Sequence, residues 1–563
     1  MSASQSQLSA ARYGYDFVVA TTQASINATM KEFLAGLTEP VVTACYIADS
    51  TAKPTPVPYD QLVKSANGSD PFKVPSGADP SANADLKNLM GARFMMGFRA
   101  QLGLPPGLPP AEIPDVVTLG SDTSAVTFNL LCSEFTVVEL EPGSGYAPAS
   151  WMNESQPSGS PWMFTSKVDL RLSKADQGAY SKLPPAVQEK IQNLGGSAFS
   201  VQQLLFDLDN AAFDSMPSMS GVKPGTKLDM VLKQEFIGAY FAQMQATGQP
   251  FLGCAITQST TPVSTLTLTD LNMEVCPLVG TNGQPILKPT RAQQDVATLS
   301  YLCAANGDAL PPPVKFGWNW IEASEASDYD GVVSINRSAF ANYLKHQLQD
   351  YVSQNSYLPS VHVWLDGDRA MFDPPTLTPG QTPTVKMPET GPVLLTFHYD
   401  SYAADQAGLN GDMGRMELKP SFDLTVTASG NTLTVVQHLV VYLYVRSLAT
   451  AGSGNVVDLT LTDTYTLAVS QDGELVANES TSRNDQSKDP STDPFLNFFT
   501  NLNDIIGMVK SWIRVVTATR LKDLPLSVVQ DYVFPGGKTF AYKSVAFSDS
   551  ADLASHITYT EPT

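Results

Sequence analysis

The chain has 563 residues, 43% of them hydrophobic, and this length predicts roughly two to four domains with large buried cores. Its 34 Lys and Arg residues against 55 Asp and Glu residues leave a net charge of −21. That balance excludes nucleic acid as the expected partner, because phosphate contacts need clustered Lys and Arg. It also disfavours broad electrostatic docking on anionic membranes, although it allows a local hydrophobic contact.

The N-terminus and the cysteines bear on localisation. Residues Met1–Ala20 lack the apolar run and the small-residue cleavage pattern of a signal peptide, and no apolar stretch is long enough for a transmembrane segment. We therefore expect a protein that is cytoplasmic, or released without a recognisable signal peptide. The scattered cysteines indicate reduced, buried thiols rather than a disulfide framework: Cys45, Cys132, Cys254, Cys276 and Cys303.

Two distant stretches of the chain begin with nearly the same aromatic-glycine signature. Tyr13-Gly14-Tyr15-Asp16-Phe17-Val18 is echoed by Phe316-Gly317-Trp318-Asn319-Trp320-Ile321. Each is followed by an Ile-Asn pair, Ile26-Asn27 or Ile335-Asn336, and by a short helical pattern. Such self-similarity indicates a duplicated structural unit. We place the boundary near Asn306, which gives one unit over residues 1–305 and another over 306–563, with exchange of elements between them left open.

Most of the remaining pattern is typical of strands. Apolar and polar residues alternate over Val126–Leu140, Met163–Leu172 and Val263–Val275, and again over Phe422–Val435 and Val457–Val469. This period of two predicts antiparallel sheets with one solvated face. No alternation of strands with helices occurs, which disfavours the parallel nucleotide-binding folds. The polar stretch 478–493 is predicted to be a connection rather than an element.

Each predicted unit also carries a helix late in its sequence. In the first unit it covers about Asp229–Thr247, with Leu232, Phe236, Tyr240 and Met244 on one side. In the second it begins at Pro494, a favourable first-turn residue, and continues to about Arg520. Its two adjacent apolar stripes leave only a narrow polar line, so it needs cover on two sides, as a helix cradled by a curved sheet would have. An ordinary core helix is the alternative. Asn and Asp in its first half exclude a membrane span.

The first signature, the Ile26-Asn27 helix and the β-rich remainder resemble the OrfX class of accessory proteins of clostridial neurotoxin clusters. That class has the TULIP (tubular lipid-binding) fold. The resemblance implies an α+β fold of two TULIP-like units, each a highly curved antiparallel sheet wrapped around a long helix, with an apolar groove between sheet and helix. It implies no catalytic residue, and it does not identify a specific partner.

No motif in the chain predicts catalysis, a cofactor or a metal. His398-Tyr399-Asp400 ends an apolar strand, and His362 precedes Asp366 and Asp368, but nothing in the sequence places a nucleophile beside either histidine. Asp328-Tyr329-Asp330-Gly331 begins like a calcium loop, yet Ala339 stands where that loop needs a glutamate. We interpret the aromatic signatures as packing anchors.

These observations predict a non-enzymatic protein that binds a lipid or another hydrophobic molecule in an apolar groove. The alternative is a structural or accessory interaction protein, with a filled core and a toxin-complex-like protein partner. An enzyme with an unrecognised site ranks third. The residues predicted to contact the lipid all lie on the late helices: Phe495, Phe499, Leu502, Ile506, Val509, Trp512, Ile513, Phe236 and Tyr240.

Overall fold

The structure is a computed structural model. It describes residues 2–37, 41–120, 124–143, 148–174, 188, 199–215, 219, 222–246, 253–258, 266–490, 496, 500–512, 532–533 and 539–560. Within these ranges the fold is α+β and rich in sheet, because antiparallel strands greatly outnumber helices. The period-two alternation of the sequence therefore predicts the dominant element correctly.

The described helices are few. They are α1 (Gln23–Ala35), α2 (Tyr59–Ser65), α3 (Ala84–Gly91), α4 (Lys227–Val231), continued by a π-helical turn (Leu232–Phe236) into α5 (Ile237–Ala246), then α6 (Arg291–Asp295), α7 (Arg337–Gln354) and α8 (Leu502–Trp512).

The strands that precede residue 306 are β1 (Phe17–Thr22), β2 (Val41–Ala48), β3 (Pro54–Val57), β4 (Phe94–Leu102), β5 (Val117–Leu119), β6 (Ala125–Leu130), β7 (Cys132–Glu141), β8 (Ser150–Ser155), β9 (Phe164–Lys174), β10 (Phe199–Ser215), β11 (Gly253–Gln258), β12 (Leu268–Cys276) and β13 (Thr298–Ala305).

The strands that follow are β14 (Gly331–Ile335), β15 (Leu358–Ser360), β16 (Val363–Asp366), β17 (Arg369–Phe372), β18 (Thr376–Thr378), β19 (Thr384–Lys386), β20 (Val393–Asp400), β21 (Ala403–Ala407), β22 (Gly414–Ser429), β23 (Thr432–Ser447), β24 (Thr450–Val469), β25 (Leu475–Asp485), β26 (Tyr532–Val533), β27 (Thr539–Phe547) and β28 (Leu553–Thr560).

One sheet joins the two ends of the chain to its middle. Its strand order is β12-β13-β1-β14-β28-β27, and β1 pairs antiparallel with both β13 and β14. The order is symmetrical about the β1–β14 pair. The antiparallel pair β13 and β12 follows on the side of β1, and the antiparallel pair β28 and β27 follows on the side of β14. Strands from both sides of Asn306 therefore build this sheet together, and we call it the central sheet.

The other large sheets lie to either side in sequence. One has the order β26-β11-β10-β9-β6-β5 and another the order β3-β2-β4-β7-β8. The sheet of the second half has the order β19-β20-β22-β23-β24-β25, with β21 also on β22; we call it the large sheet. Two small pairs, β15–β18 and β16–β17, complete the described strands. Strand β26 is an element of the second half that pairs with β11 of the first.

The large sheet shows how directly alternation dictates burial. Along β22 and β23 every second side chain is buried and the intervening ones are partly or fully exposed. The inner face carries apolar residues that join the main core cluster: Met416, Leu418, Phe422, Leu424, Val426, Leu433, Val435, Leu439, Val441, Leu443 and Val445. A turn at Gly430-Asn431 connects these two strands.

The strands refine one local prediction and correct another. The alternating stretch Val126–Leu140 forms two strands, β6 and β7, which belong to different sheets. The stretch 478–493 is not merely a connection, because its first half, up to Asp485, belongs to β25, which pairs with β24 along its length. Its polar composition follows from its place at the sheet edge, where almost all of its side chains are exposed.

The helix that follows the second signature is longer than predicted. With 18 residues, α7 is the longest uninterrupted α-helix among the described residues. Phe340, Leu344, Leu348 and Val352 recur at intervals of four and are all buried, so the apolar stripe continues for the whole helix. Helix α7 contacts β20 of the large sheet.

The two Ile-Asn pairs are not structurally equivalent. Asn27 lies inside α1, where its side chain accepts from the backbone N–H of Val116 and Val117 at 2.8 Å. Asn336 instead caps α7 and donates to the carbonyl of Tyr15 at 2.9 Å. The structural counterpart of Asn336 is Thr22, because each residue lies where a strand of the central sheet ends and caps the helix that follows.

The two aromatic signatures pack against each other, which supports their interpretation as packing anchors. The ring of Tyr13 stacks on Phe316 at 5.2 Å between centroids and meets Trp318 edge-on at 5.1 Å. The hydroxyl of Tyr13 accepts from the backbone N–H of Gly317 at 3.2 Å. Phe316 also contacts Trp320 at 5.0 Å. Edge-to-face and offset contacts of this kind stabilise beyond the area they bury.

A buried carboxylate ties the start of the chain to its last strand pair. Asp552 accepts from the backbone N–H groups of Leu8 and Arg337 at 2.6 and 2.9 Å, and from the hydroxyl of Ser6 at 2.8 Å. The guanidinium of the buried Arg337 donates to main-chain carbonyls of Pro388, Thr390, Gly391, Val393 and Ser550. Burial raises the pKa of Asp552, whereas the hydrogen bonds that its carboxylate accepts from Arg337, Leu8 and Ser6 lower it.

Replacement of Gly331 should test the central sheet. A Cβ at this position would lie 2.3 Å from the backbone oxygen of Ala20 on β1, so Gly331→Ala forces β14 away from its neighbour. We expect a loss of at least about 2 kcal/mol in the free energy of unfolding, measured by urea denaturation. Gly91→Ala is the control, because nothing lies within 4 Å of its added Cβ. Equal stability of the two variants would contradict the prediction.

Candidate functional site

The late helix of the first half packs its predicted ligand residues into an aromatic core. Phe236 is fully buried, and its ring centroid lies 4.5 Å from that of Phe164, 4.8 Å from that of Phe135 and 5.6 Å from that of Phe98. The hydroxyl of the buried Tyr240 donates to the carbonyl of Leu131 at 3.1 Å. Burial raises the pKa of Tyr240 above its ordinary value of 10. The predicted bounds of this helix agree with α4, the π turn and α5, which together cover 227–246.

The late helix of the second half has one buried and one exposed face. In α8 the side chains of Leu502, Ile506 and Val509 are buried, whereas Asp504 and Lys510 are exposed. The helix contacts β24 of the large sheet and the short strand β18. Over its described length it therefore covers the core from one side.

The structure brings five of the nine predicted ligand residues into one continuous core cluster: Leu502, Ile506, Val509, Phe236 and Tyr240. Phe495, Phe499 and Ile513 lie outside the described residues, and so does the side chain of Trp512. The involvement of all nine residues in ligand binding remains a prediction.

A cleft of about 510 Å³ lies beside the N-terminal end of α8. Three segments enclose it: the hairpin of β16 and β17, the turn between β23 and β24, and the two residues that precede α8. Its lining is Asp368, Arg369, Ala370, Met371, Phe372, Ser447, Leu448, Thr500 and Asn501. Its lining residue Asn501 directly precedes Leu502, one of the residues predicted on the second late helix.

Two glycines place the hairpin over the end of the large sheet. Gly367 forms the hairpin turn at φ +64°, a conformation that other residues rarely adopt. Gly414 begins β22, and a Cβ there would lie 2.4 Å from the Cβ of Ala370. The absence of that Cβ allows Ala370 and Phe372 to pack against the sheet, and both are buried.

The cleft has an apolar and a polar wall. Ala370, Met371, Phe372 and Leu448 supply the apolar wall, and the polar one is formed by Asp368, Arg369, Ser447, Thr500 and Asn501. Such a lining suits a molecule with a hydrophobic part and a polar end, because few polar groups suffice to orient a ligand in an apolar site. The sequence interpretation missed the hairpin and the Leu448 turn. The available signal was an Asp366-Gly367-Asp368 turn flanked by apolar residues.

The histidines noted in the sequence lie on exposed surface. His398 has Nδ1 2.6 Å from Oδ1 of Asp423 and Nε2 2.9 Å from Oδ1 of Asp400. The hydrogen bond to Asp423 is the main reason that the pKa of His398 is raised. His362 lies 3.1 Å from Asp405. Hydrogen bonds from a surface histidine to an aspartate are common. The described contacts of these two histidines include no hydroxyl or thiol.

The acidic loop that begins like a calcium loop links two elements of the fold. Asp330 accepts from the hydroxyls of Ser25 and Thr558, each at 2.6 Å, and thereby links α1 to β28. Within the described part of the chain, no group of three or more His, Cys, Asp or Glu residues is arranged to hold a metal ion. The described helices include none that is long and apolar enough to cross a membrane.

The chain has structural similarity to known proteins but no detectable sequence family. No family model matches the chain, and no curated protein matches it. Among solved structures it is similar to P47 from Clostridium botulinum A2, at a TM-score of 0.43 and 9% identity, over 97% of each chain. It is also similar to P47 of Clostridium botulinum E1, at a TM-score of 0.42 and 9% identity, over 97% of this chain and 100% of the other.

A lipopolysaccharide binding protein is similar at a TM-score of 0.32 and 10% identity, over 98% of this chain and 99% of the other. The resemblance predicted from the sequence is confirmed, because P47 of Clostridium botulinum and a lipopolysaccharide binding protein are among the structural neighbours.

A buried glutamate away from the cleft should make stability depend on pH. The side chain of Glu274 on β12 is buried, and its Oε2 has no hydrogen-bond partner among the described residues. Burial raises its pKa from 4.5 to about 7, and the charge of Lys315 opposes that rise. Because the folded chain holds this proton more tightly, the stability that it contributes is full below pH 4.5 and is lost as the pH rises through about 7.

Replacement of Glu274 should remove this dependence. We expect Glu274→Gln to raise the free energy of unfolding at pH 8 relative to the unmodified protein, by up to about 3 kcal/mol, with little difference at pH 4.5. Urea denaturation across this pH range measures the effect. The exposed Glu112→Gln is the control, and a Glu274→Gln profile parallel to it would refute the interpretation.

Proposed function

We propose that this chain is a non-enzymatic binding protein for a lipid or another hydrophobic molecule. The supporting observation is the cleft beside α8, which joins an apolar wall to a polar one at the end of the predicted ligand-binding helix. In this proposal the apolar part of the ligand enters along Met371, Phe372 and Leu448. Its polar end remains near Arg369 and Asn501.

The size of the cleft fits this role. Small-molecule sites have volumes of roughly 300–1,000 Å³, and the cleft measures about 510 Å³. Each buried methylene contributes about 0.8 kcal/mol, so an acyl segment of about ten methylenes gains about 8 kcal/mol. Ordering of the ligand and of the cleft side chains offsets part of that gain. Binding of a fatty acid therefore needs no strong polar contact.

The architecture that we propose for this role is two TULIP-like units over residues 1–305 and 306–563, with strand β26 exchanged between them. Each unit would bend its sheet around a helix. The symmetrical strand order about the β1–β14 pair supports this proposal, as does the succession of a central strand and a helix in both halves. We further propose that the protein acts in the cytoplasm or is released without a signal peptide.

Filling the cleft should weaken ligand binding. Asn501 is exposed, lines the cleft and immediately precedes α8. Asn501→Trp places an indole in the cleft, and we expect it to weaken binding of a dansyl-labelled fatty acid at least tenfold in a fluorescence titration. Asn501→Ala is the matched control, because both changes remove the same amide side chain but only Asn501→Trp fills the space.

Equal affinities of the two Asn501 variants would place the ligand elsewhere. Absence of fatty-acid binding by the unmodified protein, together with absence of co-purifying lipid in native mass spectrometry, would refute the proposed function itself.

The alternative proposal is an accessory interaction protein with a filled core and a protein partner. The dense aromatic packing around Phe236 favours it, because three rings lie within 5.6 Å of that side chain. Light scattering after size exclusion, with affinity capture on the immobilised full chain, distinguishes the two. A stable stoichiometric partner without any bound lipid would support this alternative.

A further inference from the structure

Five large apolar side chains are exposed at one end of the large sheet. Their exposed fractions lie between 39% and 86%, and they belong to the hairpin of β16 and β17 and to the two turns beside it. We call this group the apolar tip: Trp364, Leu365, Met371, Leu409 and Leu448. Scattered single apolar residues on a surface need no explanation, but a cluster of them does.

Backbone contacts hold the segments of the apolar tip together. Trp364 and Met371 are opposite residues of the β16–β17 pair and share its exposed face. The backbone N–H of Leu448 donates to the carbonyl of Met413 at 3.0 Å, which joins the β23–β24 turn to the turn that carries Leu409. The backbone N–H of Val363 on β16 donates to the carboxylate of Asp405 on β21 at 2.8 Å, which joins the hairpin to the strand that precedes that turn. Met371 and Leu448 also line the same cleft.

The fold itself does not require leucine at these turns. Leu448 adopts φ +53°, in the left-handed region that glycine and asparagine occupy far more readily than leucine. Leu409 is 86% exposed and precedes Asn410, which has φ +56°. Neither side chain contributes to the core, so an apolar surface at these positions calls for a reason outside folding.

We propose that the apolar tip inserts shallowly into a lipid bilayer with neutral headgroups. Tryptophan and leucine on projecting turns suit the boundary between headgroups and acyl chains. The indole N–H of Trp364 already donates to Asp373 at 3.0 Å, so this N–H needs no new partner on insertion. A stable protein interface involves roughly 20–30 residues on each side, many more than these five.

The charges around the tip select the kind of bilayer. The tip is flanked by three carboxylates and two guanidinium groups: Asp366, Asp368, Asp412, Arg369 and Arg446. With no excess of cations and a chain charge of −21, attraction to anionic lipid does not drive binding. The hydrophobic contact therefore provides the affinity, and added salt should not weaken it.

Sedimentation of the full chain with vesicles tests this proposal. We expect binding to phosphatidylcholine vesicles, with no increase when phosphatidylserine is included and no loss in 0.5 M salt, roughly the range where exposed charges are screened. The double variant Trp364→Ser, Leu409→Ser should lower the partition coefficient at least tenfold, since it removes two inserted side chains. Leu287→Ser is the matched control, because Leu287 is 94% exposed on a different segment.

Two further measurements separate docking from misfolding and from ligand binding. Leu448→Asn should weaken vesicle binding while leaving thermal stability equal or higher, because asparagine tolerates the left-handed conformation. Neither Trp364 nor Leu409 lines the cleft, so the double variant should bind dansyl-labelled fatty acid in the absence of vesicles like the unmodified protein.

Three results would overturn the proposal. They are absence of binding to phosphatidylcholine vesicles, unchanged binding by the folded double variant, and binding that requires phosphatidylserine and disappears in salt. Crosslinking of the tip to one specific protein, with no vesicle binding, would identify a protein interface instead. The proposed ligand-binding function would survive each of these results, because it is measured without vesicles.

Discussion

The pairing of β1 with β14 is the constraint on which the rest of the architecture depends. These strands come from opposite sides of Asn306, yet they are neighbours at the middle of one sheet. Each leads directly into a helix that begins with a polar cap, and each receives a late strand on its other side. Gly331 permits the close approach, because any Cβ would meet the backbone oxygen of Ala20. The aromatic signatures pack against each other near this pair, so the residues that recur in sequence also meet in space.

Much of the fold follows from alternation alone. The strands of the large sheet follow the apolar-polar period closely, because one face is buried and the other is wet. Tertiary context decides what alternation leaves open. The boundary between β6 and β7 is set by which sheet each strand joins. The prediction of a connection over 478–493 was wrong for its first half, because an edge position tolerates the polar side chains of β25 on both faces. Likewise, Asn27 and Asn336 look alike in sequence but occupy different positions relative to their helices.

The candidate site could be predicted only in part. Periodicity locates the late helices and identifies Phe236, Tyr240 and Leu502 as inward-facing, and each of these is buried. The cleft is different, because it forms where the hairpin of β16 and β17 meets the β23–β24 turn. These segments are distant in sequence and carry no periodic pattern. The absent Cβ of Gly414 and the turn at Gly367 help to bring them together, and a sequence does not reveal which partner a glycine will approach.

At this end of the large sheet, some apolar side chains are explained by core packing and others are not. Ala370 and Phe372 face inward and are buried, as packing requires, whereas Met371 on the same strand faces outward and is exposed. Alternation predicts a polar residue at such an outward position, and at the Leu448 turn the backbone conformation favours glycine or asparagine. Both residues therefore depart from what folding alone selects. Because Met371 and Leu448 border the cleft and also belong to the apolar tip, a ligand that leaves a bilayer at the tip would reach the cleft without crossing water.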